Sequence, residues 1–231
     1  MTLRAERSVL RVLGAYSGFR TRAHTLLRWV STPLDQVERS VPDAGTVLDF
    51  GCGHGLLSLA MAAASPQRRV LGVDIDSAKI AAARAAAERV GLGRAYADQA
   101  VRFEQVDASW RPPRNTSFDC VVVCDVLYLL SAPVARKTAL DLAEMCAPNG
   151  TIVIKEISSR TGVKRSFATA QEFFATKVFR YTQGSDIDWI DMQELAQMYR
   201  KAGFEVTVRM IDRWYPHPHQ LLVARRGTSL Q

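Results

Sequence analysis

The chain has 231 residues, 48% of them hydrophobic and 23% charged, the balance of a globular protein long enough to bury a full core. No apolar run approaches the roughly 20 residues that span a bilayer, and Met1-Thr2-Leu3-Arg4-Ala5-Glu6-Arg7 has no apolar signal core, so a cytoplasmic protein without export is expected. Cys52, Cys120, Cys124 and Cys146 form no C-x-x-C pair, which fits reduced thiols and speaks against zinc, while the formal charge of +7 means little until it is located.

The first forty residues read as two or three short helices. Val9, Leu10, Leu13 and Tyr16 have helical spacing, as do Leu26, Leu27 and Val30, and Gly14, Gly18 and Pro33 interrupt them. Seven arginines outnumber three acids between Arg4 and Arg39. A solvated helical appendage is the plainest reading. A lid over a ligand site, or a surface resting on an anionic membrane, are the sharper ones.

From Thr46 strands and helices alternate. Thr46–Phe50 is an expected strand, and Gly51-Cys52-Gly53-His54-Gly55 turns into a helix over Leu56–Ala64. A strand, a glycine turn and a helix in that order bring bare backbone amides and a helix N-terminus close to a ligand. A second strand, Arg69–Asp74, ends in an acid where a ribose hydroxyl pair would be held. Together the two features point to an adenosine-type ligand. Ser77 is the expected cap of a helix from Ala78 to about Val90, stopped by Gly91. Val101–Val106 and Phe118–Cys124 are further strands, Val134–Cys146 a helix, and Pro148-Asn149-Gly150 a turn into strand Thr151–Glu156. The alternation implies right-handed crossovers and a mostly parallel sheet.

After Glu156 the rhythm breaks into a polar, basic and aromatic stretch at about 157–190, read as a substrate-binding insertion. It resumes with a helix at Met192–Ala202 and strands Phe204–Met210 and Gln220–Ala224, which pair most simply as an antiparallel hairpin.

From Thr46 to about Arg226 the chain resembles the class I S-adenosylmethionine-dependent methyltransferases. Val47-Leu48-Asp49-Phe50-Gly51-Cys52-Gly53-His54-Gly55 looks like their first motif, and Gly72-Val73-Asp74-Ile75-Asp76 like the second. Asp107-Ala108 matches the adenine-flanking position, Ser117–Leu127 the fourth-strand motif, and Cys146–Ile154 the proline-glycine turn before strand five, with Asn149 in place of the commoner glycine. Two details separate this pattern from dinucleotide-binding proteins. The spacing is G-x-G-x-G rather than G-x-G-x-x-G, and Asp49, two residues before the first glycine, would repel a pyrophosphate but suit an ammonium group.

The resemblance implies a three-layer α/β/α sandwich with a seven-stranded, mostly parallel sheet whose last strand is antiparallel. Residues 1–44 would form a helical extension and 45–231 the domain that binds S-adenosylmethionine and releases S-adenosylhomocysteine (SAH). The cofactor residues it implies are Asp49, Phe50, Gly51, Cys52, Gly53, Gly55, Asp74, Ile75, Asp107, Ala108, Cys124 and Asp125. Tyr16, Tyr128, Phe174 and Tyr215 are expected to line the substrate. His217 and His219 are the expected catalytic residues, because the loop between strands six and seven would open on the cofactor face and an imidazole could take a hydroxyl proton. Lys155 at the end of strand five speaks against a magnesium site. The expected reaction is metal-independent methyl transfer to a small-molecule or lipid-like acceptor, an oxygen before a nitrogen. RNA methylation stands behind it, since no nucleic-acid-binding module is recognisable, and a non-catalytic binding protein stands last.

Overall fold

The computed structural model describes residues 3–93, 100–157, 191–212, 215 and 218–227. Three helices come first: α1 (Leu3–Gly14), α2 (Phe19–Ser31) and α3 (Leu34–Glu38). There follow β1 (Gly45–Phe50), α4 (Leu56–Ala64), β2 (Arg68–Asp74), α5 (Ser77–Val90), β3 (Val101–Gln105) and β4 (Phe118–Cys124). A single 3-10 turn, Leu127–Leu129, precedes α6 (Ala132–Met145) and β5 (Cys146–Ile157). The described chain closes with α7 (Met192–Lys201), β6 (Phe204–Met210) and β7 (His219–Arg226).

The strands form one sheet in the order β3-β2-β1-β4-β5-β7-β6. The pairs from β3 to β5 are parallel, and β7 runs antiparallel to both β5 and β6. Val47, Val70, Cys120, Val122 and Val153 pack on one face with α1, α3, α4 and α5. Leu48, Val121, Val123, Ile152 and Ile154 pack on the other with α6 and α7. Both faces of the central strands are therefore covered, which is why β4 reads as an unbroken apolar run. The chain reverses its winding direction between β1 and β4, and a doubly wound sheet opens its ligand crevice at the C-terminal strand ends there. The seven-stranded sheet with an antiparallel last strand is the expected fold.

Several boundaries shift by a residue or two from expectation, and four of the shifts have a visible cause or consequence. Asp76, not Ser77, caps α5, because its carboxylate accepts from the amides of Ala78 and Lys79. α6 begins two residues early, with Pro133 in its first turn, where a missing N–H costs nothing. β5 begins at Cys146, and the Pro-Asn-Gly turn persists as a bulge between the pairs Phe118–Cys146 and Cys120–Thr151, with Asn149 at φ 63°. β7 starts at His219, so that residue belongs to the strand and not to the preceding loop.

A buried guanidinium ties the helical extension to the sheet. Arg68, 1% exposed at the start of β2, donates to the carbonyls of Pro42 (2.7 Å), Val41 (2.9 Å) and Met61 (3.1 Å) and to Glu38 Oε1 (2.5 Å). These partners come from α3, from the linker into β1 and from α4. Arg68→Met is expected to lower unfolding free energy by about 3–5 kcal/mol, because Glu38 and three carbonyls lose their partner, and urea unfolding measures it.

Candidate active site

The glycine turn after β1 is anchored to the tip of β2. The amides of Gly51 and Cys52 both donate to the Val73 carbonyl, at 2.8 and 3.0 Å. Asp74 Oδ2 accepts from the Gly53 amide at 2.8 Å, and its Oδ1 accepts from the Asp76 amide at 2.9 Å. Gly51, Gly53 and Gly55 all have positive φ, but they serve different ends. A Cβ on Gly51 would sit 2.4 Å from Val126 Cγ2, and one on Gly55 would sit 2.5 Å from Phe103 Cζ, so both allow close packing. A Cβ on Gly53 would meet nothing within 4 Å. Its face is open, which suits a ligand lying over the turn. Cys52 and Phe50 flank the turn, half-buried, and Ile75 stands exposed just beyond Asp74.

Asp49 lies behind this turn, 2% exposed, and accepts from Ser58 Oγ of α4 at 2.5 Å. Burial pushes its carboxyl up to about 6, against the pull of Ser58 and Arg28, while Asp74 adds to the rise. Asp107 is exposed and turns its carboxylate back on Ser109, accepting from that residue's amide (2.7 Å) and hydroxyl (2.5 Å); those bonds hold its acid below the usual range. Ala108 beside it is exposed.

At the end of β4 the structure gathers charges. Asp125 takes φ 59°, and its carboxylate lies 2.5 Å from Lys155 Nζ of β5 and 3.6 Å from Arg28 Nη2 of α2. Arg28 also donates to the Cys124 carbonyl at 3.1 Å. Glu156 accepts through Oε1 from the amides of Val126 (3.1 Å) and Leu127 (2.9 Å), so it holds the 3-10 turn in place. Its Oε2 is buried and meets no hydrogen-bond partner among the described residues. Burial, and then the charge of Asp125, push the Glu156 carboxyl upward. Tyr128 is half-buried beside this group, and its hydroxyl is raised first by burial and then by Asp125 and Glu156.

The helical extension roofs the site. Tyr16 is 3% exposed and donates its hydroxyl to the His54 carbonyl at 2.9 Å. It props the glycine turn from behind, where a substrate-lining residue was expected. His24 of α2 faces His54 of the turn, ring centroids 4.9 Å apart. Burial, then the charges of His24, Lys79 and Arg28, push the His54 imidazole down to about 4, so it is neutral at physiological pH.

His219 does not match its expected role as a base facing the cleft. It is 1% exposed, with Nε2 3.2 Å from the Ser31 carbonyl at the end of α2, and its ring meets Tyr215 edge-on at 5.8 Å. A nitrogen beside a carbonyl acts as a donor, so this histidine fastens α2 to β7. Tyr215 lies half-buried in the same seam, its hydroxyl raised by burial and by Asp35 of α3. His217, Phe174 and nearly all of the expected insertion at 157–190 lie outside the described residues.

Arg28 is the residue that sequence reasoning missed. It stood among seven N-terminal arginines, and nothing in its spacing singled it out from across 96 positions. His24 and Ser58 were missed as well, His24 because α2 meets the turn only in the fold. Glu156→Ala is expected to cost about 2–3 kcal/mol by leaving two buried amides unpaired, whereas Glu156→Gln keeps an acceptor there and costs less than about 1 kcal/mol. Urea unfolding of the two variants checks the difference.

The chain matches a family model described as "Methyltransferase domain" over residues 20–208. It is 44% identical over 89 residues to the ribosomal protein L11 methyltransferase of Dechloromonas aromatica, an alignment covering 38% of this chain and 29% of that protein. It is 30% identical over 162 residues to the ubiquinone biosynthesis O-methyltransferase of Cereibacter sphaeroides, covering 69% of this chain and 60% of that one. The chain thus spans less than two thirds of the length of either relative. In fold it is similar to the magnesium protoporphyrin IX methyltransferase of Synechocystis PCC 6803 with bound SAH, at TM-score 0.61 and 19% identity, covering 96% of this chain and 94% of that one. With the family model spanning well over half of its length, the chain belongs to the S-adenosylmethionine-dependent class I methyltransferases.

Proposed function

We propose that this chain binds S-adenosylmethionine over the glycine turn and transfers its methyl group to a hydroxyl of a small-molecule or lipid-like acceptor. The carrying observation is the set of charges at the ends of β1 and β4. A cofactor with an aminoacyl end presents one ammonium and one carboxylate. Asp49, Asp125 and the Cys124 carbonyl offer acceptors for the first, and the Arg28 guanidinium, a third exposed, is a partner for the second. Asp74, already oriented by two amides, keeps lone pairs for ribose hydroxyls, and the open face of Gly53 leaves room for the nucleoside.

When bound, the cofactor supplies an activated methyl on a sulfonium centre, so the chain's own work is positioning and charge screening. Helix α2, resting on the turn through His24 and on β4 through Arg28, keeps water from that edge. The identity with the ubiquinone biosynthesis O-methyltransferase supports an oxygen acceptor on a lipid-like molecule. A second reading, an acceptor on a protein, draws on the identity with the ribosomal protein L11 methyltransferase. Incubating the protein with cofactor labelled in its methyl group and separated lipid, protein and RNA fractions tests the choice. Label in the lipid fraction is expected, and label confined to protein or RNA overturns the lipid-like reading.

Cofactor binding should depend on pH through Asp49. Its folded pKa of about 6 lies above the ordinary value, so the carboxylate is ionised above about pH 6 and protonated below. A cation held nearby favours the ionised form, so affinity is full at pH 7.5 and falls by about ten-fold at pH 5. Calorimetry across that range should show the fall, and Asp49→Asn should remove most of it while weakening binding at pH 7.5.

His219→Ala is expected to loosen the α2–β7 seam, lowering thermal stability without altering the shape of the pH–rate profile. Loss of the acidic limb of that profile, where a base would be protonated and inactive, would return His219 to the role of base.

A further inference from the structure

Helix α2 has two working faces. The inner one carries His24 against His54, the buried Thr25, Arg28 on the Cys124 carbonyl, and Trp29 packed on the core. The outer one is apolar and, among the described residues, exposed. Phe19 is 87% exposed, Leu26 53%, Leu27 64% and Val30 59%, and Ala23 is exposed between them. At 3.6 residues per turn these five positions fall within an arc of about 100°. Arg20 and Arg22, both exposed, sit at the two rims of that arc.

We propose that this face anchors the protein on an anionic lipid bilayer, with α2 lying in the plane of the interface. Apolar side chains on one arc, bordered on both sides by long cationic ones, are the pattern of a helix that buries its apolar face at the acyl boundary while its arginines reach the headgroups. Charge agrees with the geometry. α2 contains three arginines and no acid, and residues 1–39 carry seven arginines against three acids. A second copy of the chain fits the face less well, since its arginine rims would meet like charge and α2 offers no carboxylate to pair with them. Contact lies in the interface only: among the described residues no helix is long and apolar enough to cross a membrane.

The anchor does not depend on which acceptor the protein takes. Its consequence rests on the lipid-like reading: the inner face of the same helix roofs the cofactor site, so a bilayer under the outer face would bring a membrane-borne acceptor within reach of the cleft.

Sedimentation of the full chain with sucrose-loaded vesicles tests the anchor without any turnover. Binding is expected to vesicles containing one part phosphatidylglycerol to about two of phosphatidylcholine, and to be far weaker on phosphatidylcholine alone. Leu26→Ser/Leu27→Ser should weaken partitioning by at least about ten-fold. Arg20→Gln/Arg22→Gln should weaken it by about five-fold per arginine and reduce its sensitivity to salt. Calorimetry with S-adenosylmethionine on the same variants should match the parent, since neither pair touches the cofactor site. Absence of binding to anionic vesicles, or equal binding by the variants, overturns the anchor. So does a dimer, seen by light scattering without lipid, that the leucine pair abolishes. Failure of methyl transfer alongside intact vesicle binding would instead count against the proposed function.

Discussion

The arrangement depends on a tie between two neighbouring strand ends. Gly51 and Cys52 donate to Val73, and Gly53 donates to Asp74, so the backbone leaving β1 is fastened to the backbone leaving β2 before any ligand is present. Positive φ at Gly51, Gly53 and Gly55 makes that path available, and their missing side chains let Val126 and Phe103 close on the turn. With the turn set, α4 begins beneath it, Ser58 reaches Asp49, and the cleft acquires a floor. The floor is thus held by the chain's own backbone and side-chain bonds.

Around this floor the protein distributes charge with care for burial. Asp125 stands between two cations, of which Lys155 is fully buried, and Glu156 spends one oxygen on the amides of the 3-10 turn. A buried charge without a partner is costly, and this cluster shows how a strand end can keep several acids near a cationic ligand and stay folded. Asp49 is raised by burial in the same way. Its raised carboxyl is a site waiting for positive charge, which a cofactor ammonium would supply.

The strand–turn–helix geometry at the candidate cofactor site was legible because its determinants are local. Asp49, the alternating glycines and Asp74 stand within about one strand–helix–strand unit, and their roles follow from backbone geometry. The mostly parallel sheet was legible from the rhythm of apolar runs, and the pairing of β6 with β7 from the loop between them. What sequence could not show depends on contacts between distant segments. Arg28 meets Cys124 because α2 folds over β4, and nothing near position 28 records that. His219 was read as a loop base because the last strand was expected to start at Gln220 and the loop before it to open on the cofactor face, yet β7 extends to include it and Ser31 claims its Nε2. Tyr16 was placed at the substrate, while the connection between α1 and α2 holds it against the His54 carbonyl. Asp76 and Ser77 are both competent caps, and only the coordinates tell which carboxylate or hydroxyl reaches the free amides.

Arg68 carries a consequence for how the molecule comes apart. A guanidinium keeps its charge at every pH a protein survives, so it has no neutral form in which to wait inside a half-open core. Were α3 and its linker to peel from the sheet, Arg68 would lose Glu38 and two carbonyls while β2 still held it in apolar surroundings. That intermediate is penalised, and extension and sheet must melt together in one cooperative transition. The helices that roof the cleft are therefore no detachable accessory. Their persistence over the cofactor is enforced from the opposite end of the sheet, by a residue that never touches it.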